Sequence, residues 1–134
     1  MTYTVADTVR NAAVNAAVDL IDVGSANPGG QVLMRSASTT IATLQMNNPA
    51  FGAAASGSAA MDTTGVIDGT VSPSGASTID RFRIVNRDGT TLFDGAAGSV
   101  ATSGADINLS SVVVNQNDVI ELTGLTVSVP ATGP

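Results

Sequence analysis

The chain contains no cysteine, histidine, lysine or tryptophan, and only four aromatic residues, Tyr3, Phe51, Phe82 and Phe93. Without cysteine there is neither a disulfide framework nor a thiolate metal site. Without histidine or lysine, the usual bases that activate a serine or threonine nucleophile are missing. The five basic residues are all arginines and face eleven acids, a net charge of -6. That balance argues against a nucleic-acid surface, which needs clustered Lys and Arg. No run of ~18 apolar residues occurs, so no membrane span is expected. The opening MTYTVADTVR has no basic start, and Asp7 and Asp19 interrupt any apolar centre, so no signal peptide is expected.

What is present is small. Ala, Gly, Ser and Thr supply 63 of the 134 residues. Such side chains bury little apolar area each, so the core must be thin and made from Val, Ile, Leu and Ala. A length of 134 residues suits one domain, residues 1–134. Its thin core makes burial against a partner a reasonable expectation.

The hydrophobic period divides the chain in two. In ADTVRNAAVNAAVDLID, Asp7 is a suitable N-cap, and Val9, Ala13, Ala16, Ala17, Leu20 and Ile21 fall on one helical face. Thr8, Asn11, Asn15, Asp19 and Asp22 take the other, and Gly24 is a plausible stop. Residues 1–24 therefore read as an N-terminal arm and amphipathic helix. From residue 30 the period becomes two. QVLMRS, TIATLQM (Ile41 and Leu44 inward), STIDRFRIV, TTLFDG, ADINLS, SVVVN, VIELT and LTVSVP read as short strands, with turns at NRDG and NQND. Phe82 and Ile84 share one face, Arg81 and Arg83 the other. The fold class predicted is mainly β, with a β-sandwich or jelly-roll-like domain over 30–134. Phe51, Phe82 and Phe93 are expected to be its main large anchors. Absent lysine, its strand edges lack the commonest guard against pairing with other chains.

Four chemical readings fail on the residues. ASGSA around Ser56 lacks the G-x-S-x-G spacing and any triad partner. A carboxylate pair for sugar cleavage would want an aromatic-lined cleft, which four aromatics do not provide. Asp68-Gly69, Asp88-Gly89 and Asp94-Gly95 read as turns rather than cation loops, because IVNRDG places Ile84 where a first ligand should stand. In NNPAFGAAASGSAAM, Gly52 and Gly57 have the wrong spacing for a dinucleotide loop. Ser58 also stands where a phosphate loop needs Lys. That segment reads as a corner, with Asn48-Pro49 turning the chain, Phe51 filling the core and Gly52 taking an unusual backbone angle. No enzyme is expected, and no catalytic, cofactor-binding or metal-binding residues or cofactors are proposed.

The Ala-rich helix ending in VDLID, then IATLQM, NPAFGAAASGSA, FRIVNRDGTTLFDG and VNQNDVIELTGLTVSVP, resembles small proteins encoded among the structural genes of tailed phages and prophages. The resemblance covers nearly the whole chain. It implies a non-enzymatic virion structural protein, foremost a head decoration (cement) protein on the capsid exterior, made in the bacterial host cytoplasm. Its expected partners are the major capsid protein and itself, a trimer being favoured over a dimer by analogy with three-fold lattice positions. The alternatives are a tail or neck structural protein and a carbohydrate-binding virion appendage.

Overall fold

The computed structural model describes residues 3–72, 77–99 and 106–132. Parts of the expected sandwich at 73–76, 100–105 and 133–134 lie outside these. Helix α1 (Asp7–Asp19) contains neither Gly nor Pro, carries four alanines and runs on into a 3-10 turn, Leu20–Asp22. Asp7 is not its N-cap. Ala6 occupies that position without a side-chain hydrogen bond, and Asp7 sits in the first turn, bonded to Arg10 Nη1 at 2.7 Å. A carboxylate there still suits the positive end of the helix dipole.

The predicted helix face is also corrected. Val14, Val18 and Ile21 are buried, whereas Val9, Ala13, Ala16 and Leu20 are exposed. Both stripes have helical spacing, so periodicity alone cannot choose between them. The choice falls to Asn11, Asn15 and Asp22, which flank the buried stripe and turn out to have partners in the β domain.

Eleven strands follow among the described residues. β1 (Gln31–Ser36), β2 (Thr39–Gln45), β6 (Arg81–Val85), β7 (Thr91–Ser99) and β8 (Ile107–Leu109) form one sheet in the order β2-β1-β6-β7-β8. Neighbours are antiparallel except β7 and β8, which run parallel. Val32 stands between Leu44 and Ile84, and Met34 between Ala42 and Phe82, all turned to the core. A register shift at Met34/Arg35 leaves Ile41 unpaired, which is how Ile41, Ala42 and Leu44 can all be buried.

Among the described residues, three two-stranded antiparallel ladders complete the β-sandwich-like domain. β3 (Ser58–Ala60) pairs with β11 (Thr126–Ser128). β4 (Asp68–Thr70) pairs with β10 (Val119–Glu121), and β5 (Ser77–Thr78) with β9 (Val113–Val114). STIDRFRIV is thus not one strand. Ile79 N–H donates to Val112 and Asp80 N–H to Arg35, so the chain changes ladders between them. Two of the three Asp-Gly steps are not turns either: Asp68-Gly69 lies in β4 and Asp94-Gly95 in β7. Glycine stands there because a Cβ would run into the Thr43 carbonyl in one case and the Phe82 ring in the other. Asp88-Gly89 does make the predicted hairpin turn, organised by the buried Asn86, whose Oδ1 accepts from the N–H groups of Asp88 and Thr90.

The helix and both layers share one core. Its largest fully buried side chains are Ile21, Met34, Leu44, Ile79, Val14 and Val32. Aliphatic residues, not phenylalanines, are its centre. Phe51 and Phe82 are buried, but Phe93 is only half-buried at its margin.

Candidate interaction surfaces

The loop from Asn47 to Gly57 is fixed from the helix side. Ala50 N–H donates to Asp22 Oδ1 at 2.9 Å, Ala54 N–H to Asn15 Oδ1 at 2.9 Å, and Gly57 N–H to Asn11 Oδ1 at 2.8 Å. The loop therefore runs antiparallel to α1, one amide for each polar side chain. Two further amides, of Gly52 and Ala55, donate to Ala60 and Ser58 carbonyls. A phosphate cradle needs free N–H groups, and these are already engaged. The corner reading accounts for the geometry. Gly52 does not take the unusual angle expected of it; Ser56 (φ 50) and Gly57 (φ 77) do. A Cβ on Gly57 would also meet the Arg10 guanidinium, whose Nε donates to the Val129 carbonyl at 2.9 Å. Arg10, Asn11 and Asn15 were missed as positioning residues. Asparagine in a helix interior is unfavourable, and that was the available signal.

The carboxylates are used in the same way. Asp80 accepts from Ala37 N–H at 2.9 Å, Asp106 from Ala96 N–H at 3.1 Å, and Asp118 from Asn115 N–H at 2.8 Å. Asp62 accepts from both the N–H and the hydroxyl of Thr64, which holds its pKa below the ordinary value. Asp88 Oδ1 accepts from Ser25 and Ala26 N–H, with the same effect. No cluster of three acidic residues that could hold a metal occurs among the described residues.

Among the described residues, two surfaces stand out. The first is a series of grooves along the C-terminal strands. One of about 480 Å³ is lined by Ser110, Ser111, Asp118, Glu121 and Thr123, with Val113 and Val119 exposed at its sides. Another, of about 310 Å³, lies between Phe82, Ile84 and Phe93 on the sheet and Leu125 and Val127 beside and on β11. The second surface is the outer face of the sheet, where three of the five arginines gather. Arg35 and Arg81 are directly opposite across β1 and β6. Arg83 Nε donates to Asp94 Oδ1 at 2.8 Å, which lowers the Asp94 pKa and raises that of Arg83. The buried Nε of Arg35 has no hydrogen-bond partner among the described residues. Like charges placed opposite each other are unfavourable unless an anion or carboxylate joins them.

Fold and surfaces together define a small acidic β domain with a docked N-terminal helix. No helix among the described residues is long and apolar enough to cross a membrane. Compared with models of protein families, with curated proteins and with solved structures, the chain gives no match.

Proposed function

We propose that the chain is a non-enzymatic structural protein of a tailed-phage virion, a head decoration protein that binds the outside of the capsid lattice. The sequence resemblance suggests the class. The observation that carries the reading is the use of polar side chains. Asn11, Asn15, Asp22, Asp80 and Asp88 are each bound to backbone amides remote in sequence, acting as clips. A domain built this way holds its shape. One side of β3 is taken by the 51–55 segment and β4 lies against β2, whereas the short strands β9, β10 and β11 present Val113, Val119, Glu121, Thr126 and Ser128 exposed, a surface that a neighbouring subunit would cover. Many copies on a lattice would turn weak contacts into durable attachment.

A second reading, a carbohydrate-binding appendage, draws on the groove lined by Ser110, Ser111, Asp118, Glu121 and Thr123. No aromatic side chain lines it, and sugar sites usually stack the ring on one. The deciding experiment is co-sedimentation of the purified chain with empty phage heads, run beside a glycan-binding screen. Saturable pelleting with heads and a blank glycan screen is the expected result. Glycan binding without pelleting would replace the first reading with the second.

A further inference from the structure

Arg81 differs from the other four arginines. Arg10 donates to Asp7 and the Val129 carbonyl, Arg35 to the Ser38 carbonyl, Arg83 to Asp94 and Arg87 to the Asn27 carbonyl. Arg81 is exposed, and its guanidinium has no hydrogen bond or ion pair among the described residues. It stands in a row of side chains that crosses four strands on the outer face of the sheet. Thr40 on β2 is opposite Arg35 on β1, Arg35 is opposite Arg81 on β6, and Arg81 is opposite Ala96 on β7. Residues so placed have their Cβ atoms about 4.5–5.5 Å apart, which sets two cationic side chains next to each other between a hydroxyl and a methyl group. We propose that Arg35 and Arg81 form a clamp for a phosphate-type dianion, with the Thr40 hydroxyl as a further donor.

Charge is the first reason. Two cations facing each other across a ladder repel. The nearby carboxylates are engaged elsewhere: Asp94 is bonded to Arg83 in the next row, and Asp80 accepts from the Ala37 amide at 2.9 Å. A partner's carboxylate would bring one negative charge and leave the two arginines net positive. A phosphate group carries about 1.5 to 2 negative charges at pH 7 and balances both. Geometry is the second reason. A guanidinium fork matches phosphate oxygens two at a time, and Ala96 offers only a methyl group beside Arg81, which leaves room above it.

Arg35 supplies the third. Its Nη2 reaches back to the Ser38 carbonyl, and its Nε is buried with no acceptor among the described residues. A buried donor left unpaired is unfavourable. A dianion seated against Arg81 would draw the Arg35 head outward and give that Nε an acceptor. The chain as a whole carries a net charge of -6, so the site suits one small group rather than a nucleic-acid backbone. It needs no capsid and stands whether or not the virion reading does.

An exposed clamp of this size should bind with a Kd on the order of 1 mM. The test is an NMR titration of the intact chain with inorganic phosphate at constant ionic strength, at about pH 7.5, above the second phosphate pKa of ~6. Saturable shifts of the Arg35 and Arg81 Nε–H signals and of the Thr40 amide are expected, with acetate several-fold weaker. Arg81→Gln, a change at an exposed residue, should melt no lower than the parent in phosphate-free buffer and should abolish the Arg35 shifts. A parallel titration with O-phosphoserine separates the sources. Tighter binding than inorganic phosphate means a phosphate carried by a partner, equal binding means the free ion, and either supports the clamp. Shifts that never saturate, that spread evenly over all five arginines, or that chloride and acetate reproduce would mean an adventitious ion only and overturn it. So would phosphate binding by Arg81→Gln equal to that of the parent.

Discussion

A single carboxylate, Asp88, ties the chain leaving the helix to the β6–β7 hairpin through the amides of Ser25 and Ala26, at 2.9 and 3.0 Å. Those bonds hold its pKa below the ordinary 3.8. A folded pKa below the unfolded one gives stability that is present above the ordinary value and lost as pH falls through the folded value. Melting temperature should therefore drop on acidification below about pH 4, the ordinary aspartate range. Asp88→Asn, which cannot titrate, should flatten part of that drop while staying close to the parent at neutral pH. An acid melting profile identical in parent and Asp88→Asn would reject the clip. The phenylalanines separate by burial. Phe51→Ala and Phe82→Ala should each cost ~3–5 kcal/mol in urea unfolding, through lost transfer energy and a cavity. Phe93→Ala, at the margin of the core, should cost clearly less; an equal loss for all three would show that Phe93 is a full anchor after all.

At the scale of elements, α1 matters as a rail for the loop opposite it. Replacing Asn11 and Asn15 by Ala would leave the Gly57 and Ala54 amides without acceptors, a loss of about 1–2 kcal/mol each. Amide exchange should then speed up at Ala54 and Gly57 while the β1–β2 hairpin stays protected. Uniform acceleration across the domain would mean that the helix supports the whole fold rather than this loop. The strands β1 and β2 were legible in the sequence as QVLMRS and TIATLQM, from their period of two, though not their pairing with each other. The helix face was not, since two apolar stripes compete on α1 and only the tertiary partners of Asn11, Asn15 and Asp22 decide between them. The break at Ile79–Asp80 did leave a mark in the sequence. Two polar residues, Asp80 and Arg81, stand between the buried Ile79 and Phe82, so the alternation slips by one where the hydrogen bonds change from Val112, beside β9, to Arg35 of β1. Gly69 and Gly95 looked like turn residues, but their lack of a side chain serves close approach within strands. The grooves bring Phe82 together with Leu125, and Leu109 with Thr123, pairings that no local spacing announces.

For the molecule as a whole, the proposed attachment to phage heads would draw on whatever forces its surface supplies. Charged residues make up 12% of the chain, and the arginines of the sheet face are partly neutralised by Asp94. The remaining surface offers small side chains, the exposed residues of the short strands β9, β10 and β11, and exposed valines at positions 66, 113 and 119. Backbone pairing and apolar burial respond little to ionic strength, whereas exposed charge pairs are screened beyond about 3 Å in 1 M salt. Binding to heads through β9, β10 and β11 should accordingly survive 1 M sodium chloride with little loss in a co-sedimentation assay. Val113→Glu and Val119→Glu, which put charge beside the groove of about 480 Å³, should weaken it without moving the melting temperature, because both valines are exposed. If instead moderate salt releases the chain and the valine changes do nothing, the sheet face bearing Arg35, Arg81 and Arg83 is the attachment surface. Arg81→Glu would then be the change that abolishes binding.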